Sequence, residues 1–191
     1  LLANFQITMF DLVRKGDWIT FNKYGVDGDV ISVDLTTVKV RNFNKTISTV
    51  PSKAFVSDSF INWRGMESSE VRRIKRHLVL DLDSVSFCSD ALIEDLKGIE
   101  RVRDYIGTRL DEIQAENKAK GVDKSRNLNG RHLTNIGIYR MYIEAYLKEH
   151  PMVSGEHSLM VRQLQAGATG VPLEIYCFSK EIRWVQYEAI V

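Results

Sequence analysis

Few residues of this chain have the types and spacing that bond-making chemistry requires. Asp81 and Asp83 lie two apart, and paired carboxylates can divide acid and base duties. No nucleophile or phosphate loop accompanies them, so solvation at a strand end is the expected role. Ser57, Ser59 and Ser84 lack the strand–turn–helix context that exposes a serine nucleophile. His77, His132, His150 and His157 do not share metal-ligand spacing and read as surface or structural histidines. The segment from Gly167 to Gly170 lacks the lysine of a phosphate loop and reads as a hairpin turn. Cys88 and Cys177 lie far apart and form no paired motif, so reduced thiols in a reducing compartment are expected. Catalytic residues, a cofactor site and a metal site are all expected to be absent, and the protein is expected not to be an enzyme.

Charge is concentrated at Arg72, Arg73, Lys75 and Arg76. A solvated strand face is the plain reading. A concave surface with one sign of charge also concentrates counter-ions, within a screening length of ~8 Å at physiological salt. Arg73 and Lys75 are the candidates for such an effect. A small barrel with a basic cluster also fits RNA binding. The chain has 26 basic and 25 acidic residues, a net charge of +1, which argues against a dedicated nucleic-acid binder. Trp18, Trp63 and Trp184 are either membrane-interface anchors or core residues, with the core preferred for Trp18 and Trp63.

A chain of 191 residues holds one large domain or two small ones. With 44% hydrophobic and 27% charged residues it has the composition of a folded, soluble protein. It holds no apolar run near the ~18 residues that cross a bilayer, and no signal peptide is visible. Leu1 and Val191 both read as cuts within an element, so a trimmed longer protein is expected.

The elements that must position these residues begin with an apolar segment, Leu1 to Val13, read as the end of a longer helix. Asp17 to Trp63 reads as β: Val38 and Val40 alternate with Lys39 and Arg41, and Val30 to Val33 is a second apolar strand. Gly25 and Gly28 bracket a turn, and Asn42 to Lys45 connects a hairpin. Pro51 ends the pairing run, because proline cannot donate to a ladder. About five short strands with tight turns suggest a small closed or partly closed barrel. Arg64 to Glu70 reads as a polar linker and domain boundary.

Val71 to Leu82 then reads as one long strand, with Ile74, Leu78, Leu80 and Leu82 on one face. Ser89 is the expected N-cap of a helix whose stripe is Leu92, Leu96, Ile99, Val102, Ile106, Leu110 and Ile113. Gly98 and Gly107 weaken it by about 1 kcal/mol each. Asn117 to Asn129 reads as a mobile loop. Thr134 is the expected cap of a second helix, with Ile136, Tyr139, Ile143, Tyr146 and Leu147 on one face and Pro151 at its end. Strands at Ser158 to Leu164 and Leu173 to Phe178 follow, then a helix from Glu181. The fold class is α+β: a small Sm-like β barrel, then a mixed α/β domain, ferredoxin-like β-α-β-β-α with a helical insertion.

The barrel words resemble the small-conductance mechanosensitive ion channel family: Gly16-Asp17, the glycines at 25 and 28, Thr37-Val38 and Val50-Pro51. Longer phrases resemble its miniconductance branch, among them Val56-Ser57-Asp58-Ser59-Phe60, Asn62-Trp63, Arg73-Ile74-Lys75-Arg76, Leu133-Thr134-Asn135, Leu159 to Leu164 and Val171 to Tyr176. Many members carry Asn after the barrel proline; this chain carries Ser52.

The resemblance implies the cytoplasmic part of a bacterial inner-membrane channel. Such channels open under membrane tension and protect against osmotic down-shock. It implies a homoheptamer, a bilayer reached through upstream transmembrane helices, permeating ions, and no nucleic-acid partner. Residues 1–13 would end the pore-lining helix, 14–66 would form the barrel, and 67–191 the α/β domain, with an insertion at about 89–132. Phe5, Met9 and Phe10 would couple to the pore. Gly16, Gly25, Gly28 and Pro51 would set the barrel's turns, and Arg73 and Lys75 would charge the vestibule. The alternative is a soluble Sm-like RNA-binding protein with an appended α/β domain.

Overall fold

A computed structural model describes residues 2–123, 125–126 and 128–191. The chain divides into two units, Leu1–Glu70 and Val71–Val191.

The first unit runs α1 (Leu2–Met9), β1 (Trp18–Phe21), a 3-10 turn at Asn22–Tyr24, β2 (Val26–Val33), β3 (Thr37–Asn42), β4 (Ile47–Pro51), α2 (Ala54–Ser57), β5 (Ile61–Asn62) and α3 (Arg64–Ser69). The strands pair antiparallel in the order β4-β3-β2-β1-β5. Alternation places Ile19, Phe21, Val26, Val30, Val38, Val40 and Val50 on one face, in one core with Ile7, Val13 and Phe55. Val50 of β4, at one end of the order, shares that core with Phe60, which lies just before β5 at the other, as a curled sheet requires. A bulge between Val30 and Ser32 adds to the bend. Among the described residues no ladder joins β4 to β5, so the partly closed form of the expected barrel is the one observed.

Gly25 closes the 3-10 turn with φ at +62°. Gly28 does not sit in a turn. It lies within β2 between Ile19 and Asn42, where a Cβ would fall 2.1 Å from the Arg41 carbonyl oxygen. Its lack of a side chain serves close backbone approach. The segment expected as a polar linker is helical: α3 ends at Glu70, which takes φ of +55°.

The second unit runs β6 (Arg72–Leu80), a 3-10 turn at Leu82–Ser84, α4 (Asp90–Lys97), α5 (Glu100–Ala119), α6 (Asn135–Glu149), β7 (Met160–Gln163), β8 (Val171–Ser179) and α7 (Trp184–Ile190). The sheet order is β6-β8-β7, with β8 antiparallel to both neighbours. β6 and β7 are therefore parallel with β8 between them, the split β-α-β arrangement of a ferredoxin-like half.

Ser89 and Thr134 are the N-caps, their hydroxyls accepting from Leu92 N at 3.2 Å and Gly137 N at 3.3 Å. The expected single helix breaks at Gly98–Ile99 into α4 and α5, which leaves Ile99 exposed. Gly107 stays inside α5, which extends to Ala119. Asn117, expected in a loop, is buried on this helix and fastens Arg131 through its backbone N–H and C=O, at 2.8 and 2.9 Å. α4 and α5 build a small core of their own with Leu133, just before α6, and Ile138 of α6. The other part of α6 gives Ile143 and Leu147 to the sheet. Tyr139 and Tyr146 are exposed, off the expected apolar face. β6 ends at Leu80. Leu82 lies in the 3-10 turn, and Asp81 caps it by accepting from Asp83 N at 3.0 Å, so these carboxylates do not share a strand face. Gly167 and Gly170 bond to each other across a tight turn.

Candidate functional site: the helix-to-sheet junction

The first unit concentrates its polar interactions where α1 meets the sheet. α1 ends in a Schellman arrangement. The Leu12 amide donates to the Ile7 carbonyl at 3.0 Å, and the Asp11 amide to the Thr8 carbonyl at 3.3 Å. Asp11 takes the left-handed conformation, φ +53°, that glycine usually supplies. A short polar side chain tolerates it. Leu12 and Ile7 then both pack into the core, which gives the motif its usual apolar contact. Complete burial of Ile7 contributes about 2 kcal/mol to holding α1 down.

Asp17, at the start of β1, is buried and collects four donors around its carboxylate. Arg14 N donates at 2.8 Å and Asn62 Nδ2 at 2.8 Å. Arg64 Nε donates at 2.9 Å, and its Nη2 bonds the second carboxylate oxygen. Arg64 Nη1 reaches on to Asp11 at 2.8 Å. Asn62 also donates to the Leu12 carbonyl at 3.2 Å. The end of α1, the start of β1, β5 and α3 are thus tied to one carboxylate. Burial alone would push the Asp17 carboxyl up; the bonds from Arg64, the Arg14 amide and Asn62 outweigh it and hold the group below its ordinary 3.8. Gly16, with φ at +95°, donates to the Val30 carbonyl at 2.8 Å and turns the chain into β1.

Of the residues expected to couple to a pore, Phe5, Met9 and Phe10 are exposed and turned away from the core that holds Ile7. With Leu2 they leave the outer side of α1 apolar. Pro51 closes β4 opposite Thr37. After it, Ser52 is buried with an Oγ that has no hydrogen-bond partner among the described residues. Trp18 and Trp63 are half-buried and stack on each other, centroids 4.8 Å apart, on the side opposite Ile19. Their indole N–H groups donate to Asp27 and Thr20, each at 2.9 Å. Trp184 is half exposed beside the Arg72 guanidinium, 5.5 Å from its ring.

In the second unit the basic cluster divides by strand alternation. Arg72 and Arg76 turn to the face covered by α7, where Arg72 lies over Tyr187 and Arg76 pairs with Glu188. Arg73 and Lys75 turn to the opposite face. There Arg162 pairs with the buried Glu174 at 2.7 Å, and Lys75 stands 3.9 Å from it. The four histidines are dispersed. His132 lies beside Phe87, His150 beside Tyr146 and His157 beside Phe178, while His77 is exposed on β6. Cys177 is buried, its thiol pushed up to about 11 by burial.

Sequence reading missed Asp17, Asn62 and Arg64 as a set, and also Asn42. The buried Asn42 side chain accepts from Asp27 N and donates to Thr46 and Ser48, joining three strands. The available signal was a polar residue at an inward position of a strand.

The sequence profile of the mechanosensitive ion channel β-domain matches residues 1–65. Two Helicobacter pylori proteins described as uncharacterized MscS family proteins, from strains ATCC 700392 / 26695 and J99 / ATCC 700824, are each 23% identical over 98% of this chain. The chain spans 27% of the length of each. Among solved structures, Arabidopsis thaliana MSL1 superposes with a TM-score of 0.56 at 17% identity, covering 99% of this chain and 50% of that one. The closed-state crystal structure of Helicobacter pylori MscS gives 0.52 at 14% identity, covering 99% and 54%. At these identities the structures speak to the fold. Among the described residues no helix is long and apolar enough to cross a membrane.

Proposed function

We propose that this chain, whose first 65 residues match the β-domain of mechanosensitive ion channels, belongs to the MscS family and is the cytoplasmic portion of a bacterial channel opened by membrane tension. The observation that carries the reading is the junction: a helix end locked by its own cap and fastened to the sheet through Asp17 and Arg64. A helix held this way cannot tilt without moving β1 and β5 or breaking buried charged bonds. Such bonds are costly to break, about 3 kcal/mol or more when one partner is left buried and unpaired.

In this reading α1 continues a pore-lining helix supplied by upstream sequence. Phe5, Met9 and Phe10 lie against that helix's neighbours in a ring of identical subunits, a homoheptamer, and their exposure in the single chain supports this. Gly16, Gly25 and Pro51 shape the turns that hold the sheet. The second unit walls a vestibule through which ions pass, and Arg73 and Lys75 charge its surface. The channel sits in the inner membrane and relieves osmotic down-shock. The protein performs no catalysis.

The test is to reconstitute the full-length protein in liposomes and apply suction to excised patches. Stepwise currents that rise with tension support the reading. Silence up to the lytic limit overturns it.

A further inference from the structure

One face of the β6-β8-β7 sheet carries no helix among the described residues. The packed side chains of α6 and α7 meet Ile74, Val161, Leu173, Ile175 and Cys177, all on the other face. Register places Lys75 opposite Tyr176 and Arg73 opposite Phe178 on the open face. Tyr176 and Phe178, two apart on the central strand, are half-buried, so each keeps part of its ring toward solvent. Their centroids are 5.7 Å apart, and the His157 ring lies 5.2 Å from Phe178. The Arg162–Glu174 pair neutralises itself beside them. The Arg73 guanidinium has no ion-pair partner among the described residues, and Lys75 reaches Glu174 only at 3.9 Å.

We propose that this face is a binding platform for a free nucleoside phosphate. The base stacks on Tyr176 or Phe178, and the phosphates are held by Arg73 and Lys75. Aromatic side chains on an open sheet are a general solution for holding a flat base, because every base has a π-face. Each ring here has a cation as its cross-strand neighbour, within reach of a phosphate attached to a stacked base. The occupant is a small anion rather than a nucleic-acid strand, because Arg72 and Arg76 are turned away and leave too few cations to follow a backbone. A second copy is disfavoured, since two such faces related by a two-fold axis would set Arg73 and Lys75 against like charges. The proposal does not rest on the channel reading, and a protein that passes no current leaves it standing.

The experiment is a titration of the isotope-labelled 191-residue chain with ADP, read by amide chemical shifts. Adenosine, inorganic phosphate and a short oligouridylate form separate arms. Saturable shifts on β6 and β8 with ADP, weaker with adenosine or phosphate alone, are the expected result. Phe178→Leu and Arg73→Gln should each weaken ADP binding about tenfold, with spectra unchanged away from the sheet. Arg73 is exposed, so that second variant keeps the test valid if Phe178→Leu unfolds the unit. Absence of saturable shifts at millimolar ADP overturns the proposal. So does phosphate binding as tightly as ADP, oligouridylate binding where ADP is silent, or self-association through β8 that excludes ADP.

Discussion

Arg64 holds Asp17 across 47 positions of sequence, with its Nε 2.9 Å from one carboxylate oxygen and its Nη2 on the other. Two parallel bonds of this kind fix orientation as well as distance. The same guanidinium reaches Asp11 at the end of α1, so a single side chain from α3 spans the whole junction.

Replacing Arg64 with Ala leaves Asp17 buried without its main partner. The expected loss of stability is about 3 kcal/mol, measured by urea unfolding of the chain. Arg64→Lys should recover less than half of that, because an ammonium cannot make the two-pronged contact. Equal stability of wild type and Arg64→Ala would show that the pair contributes nothing.

Acid should loosen the same site. The folded-state Asp17 carboxyl is held below its ordinary 3.8. Its contribution is therefore fully present above that value and is lost as pH falls through the folded-state value. Asp11 is shifted the same way, first by its hydrogen bond from Arg14 and then by the charges of Arg14 and Arg64. Urea midpoints measured from pH 5 downward should fall more steeply in wild type than in Asp17→Asn, which lacks the titrating group.

Ser52 buries a hydroxyl with no partner among the described residues. Removing the hydroxyl should be neutral or stabilising, by up to about 1 kcal/mol. Thermal unfolding of Ser52→Ala reads this directly, and a marked drop in Tm would point to a partner for the hydroxyl.

Gly28→Ala sets a methyl against the Arg41 carbonyl. The strands must separate or shift register, at an expected cost of about 2 kcal/mol or more. Gly25→Ala meets no neighbour but strains a left-handed turn, φ +62°, so about 1 kcal/mol is expected. Side-by-side denaturant curves should rank the two in that order.

The differences between these glycines show what sequence carries and what it does not. Both looked like turn formers, since composition reports only the absence of a side chain. Only the pairing of β2 with β3 makes Gly28 a contact residue. Short-range signals were legible: the alternation at Val38 and Val40, and the hydroxyl caps at Ser89 and Thr134. Arg64 to Glu70 read as a linker because its polar residues make no apolar stripe, yet its first residue anchors the junction. Asp17, Asn62 and Arg64 escaped notice because a buried polar set has no period; its members are joined by folding, not by spacing. Leu78 keeps the expected period of β6 but is exposed, and Leu82 lies past the strand's end in the 3-10 turn, also exposed.

In the proposed channel, the Asp17–Arg64 clasp carries force between helix and sheet. Patch recording of the full-length protein tests it, with wild type compared against Arg64→Ala at matched expression. A shifted tension threshold with unchanged single-channel conductance is the expected result. The same threshold in both proteins would contradict the claim.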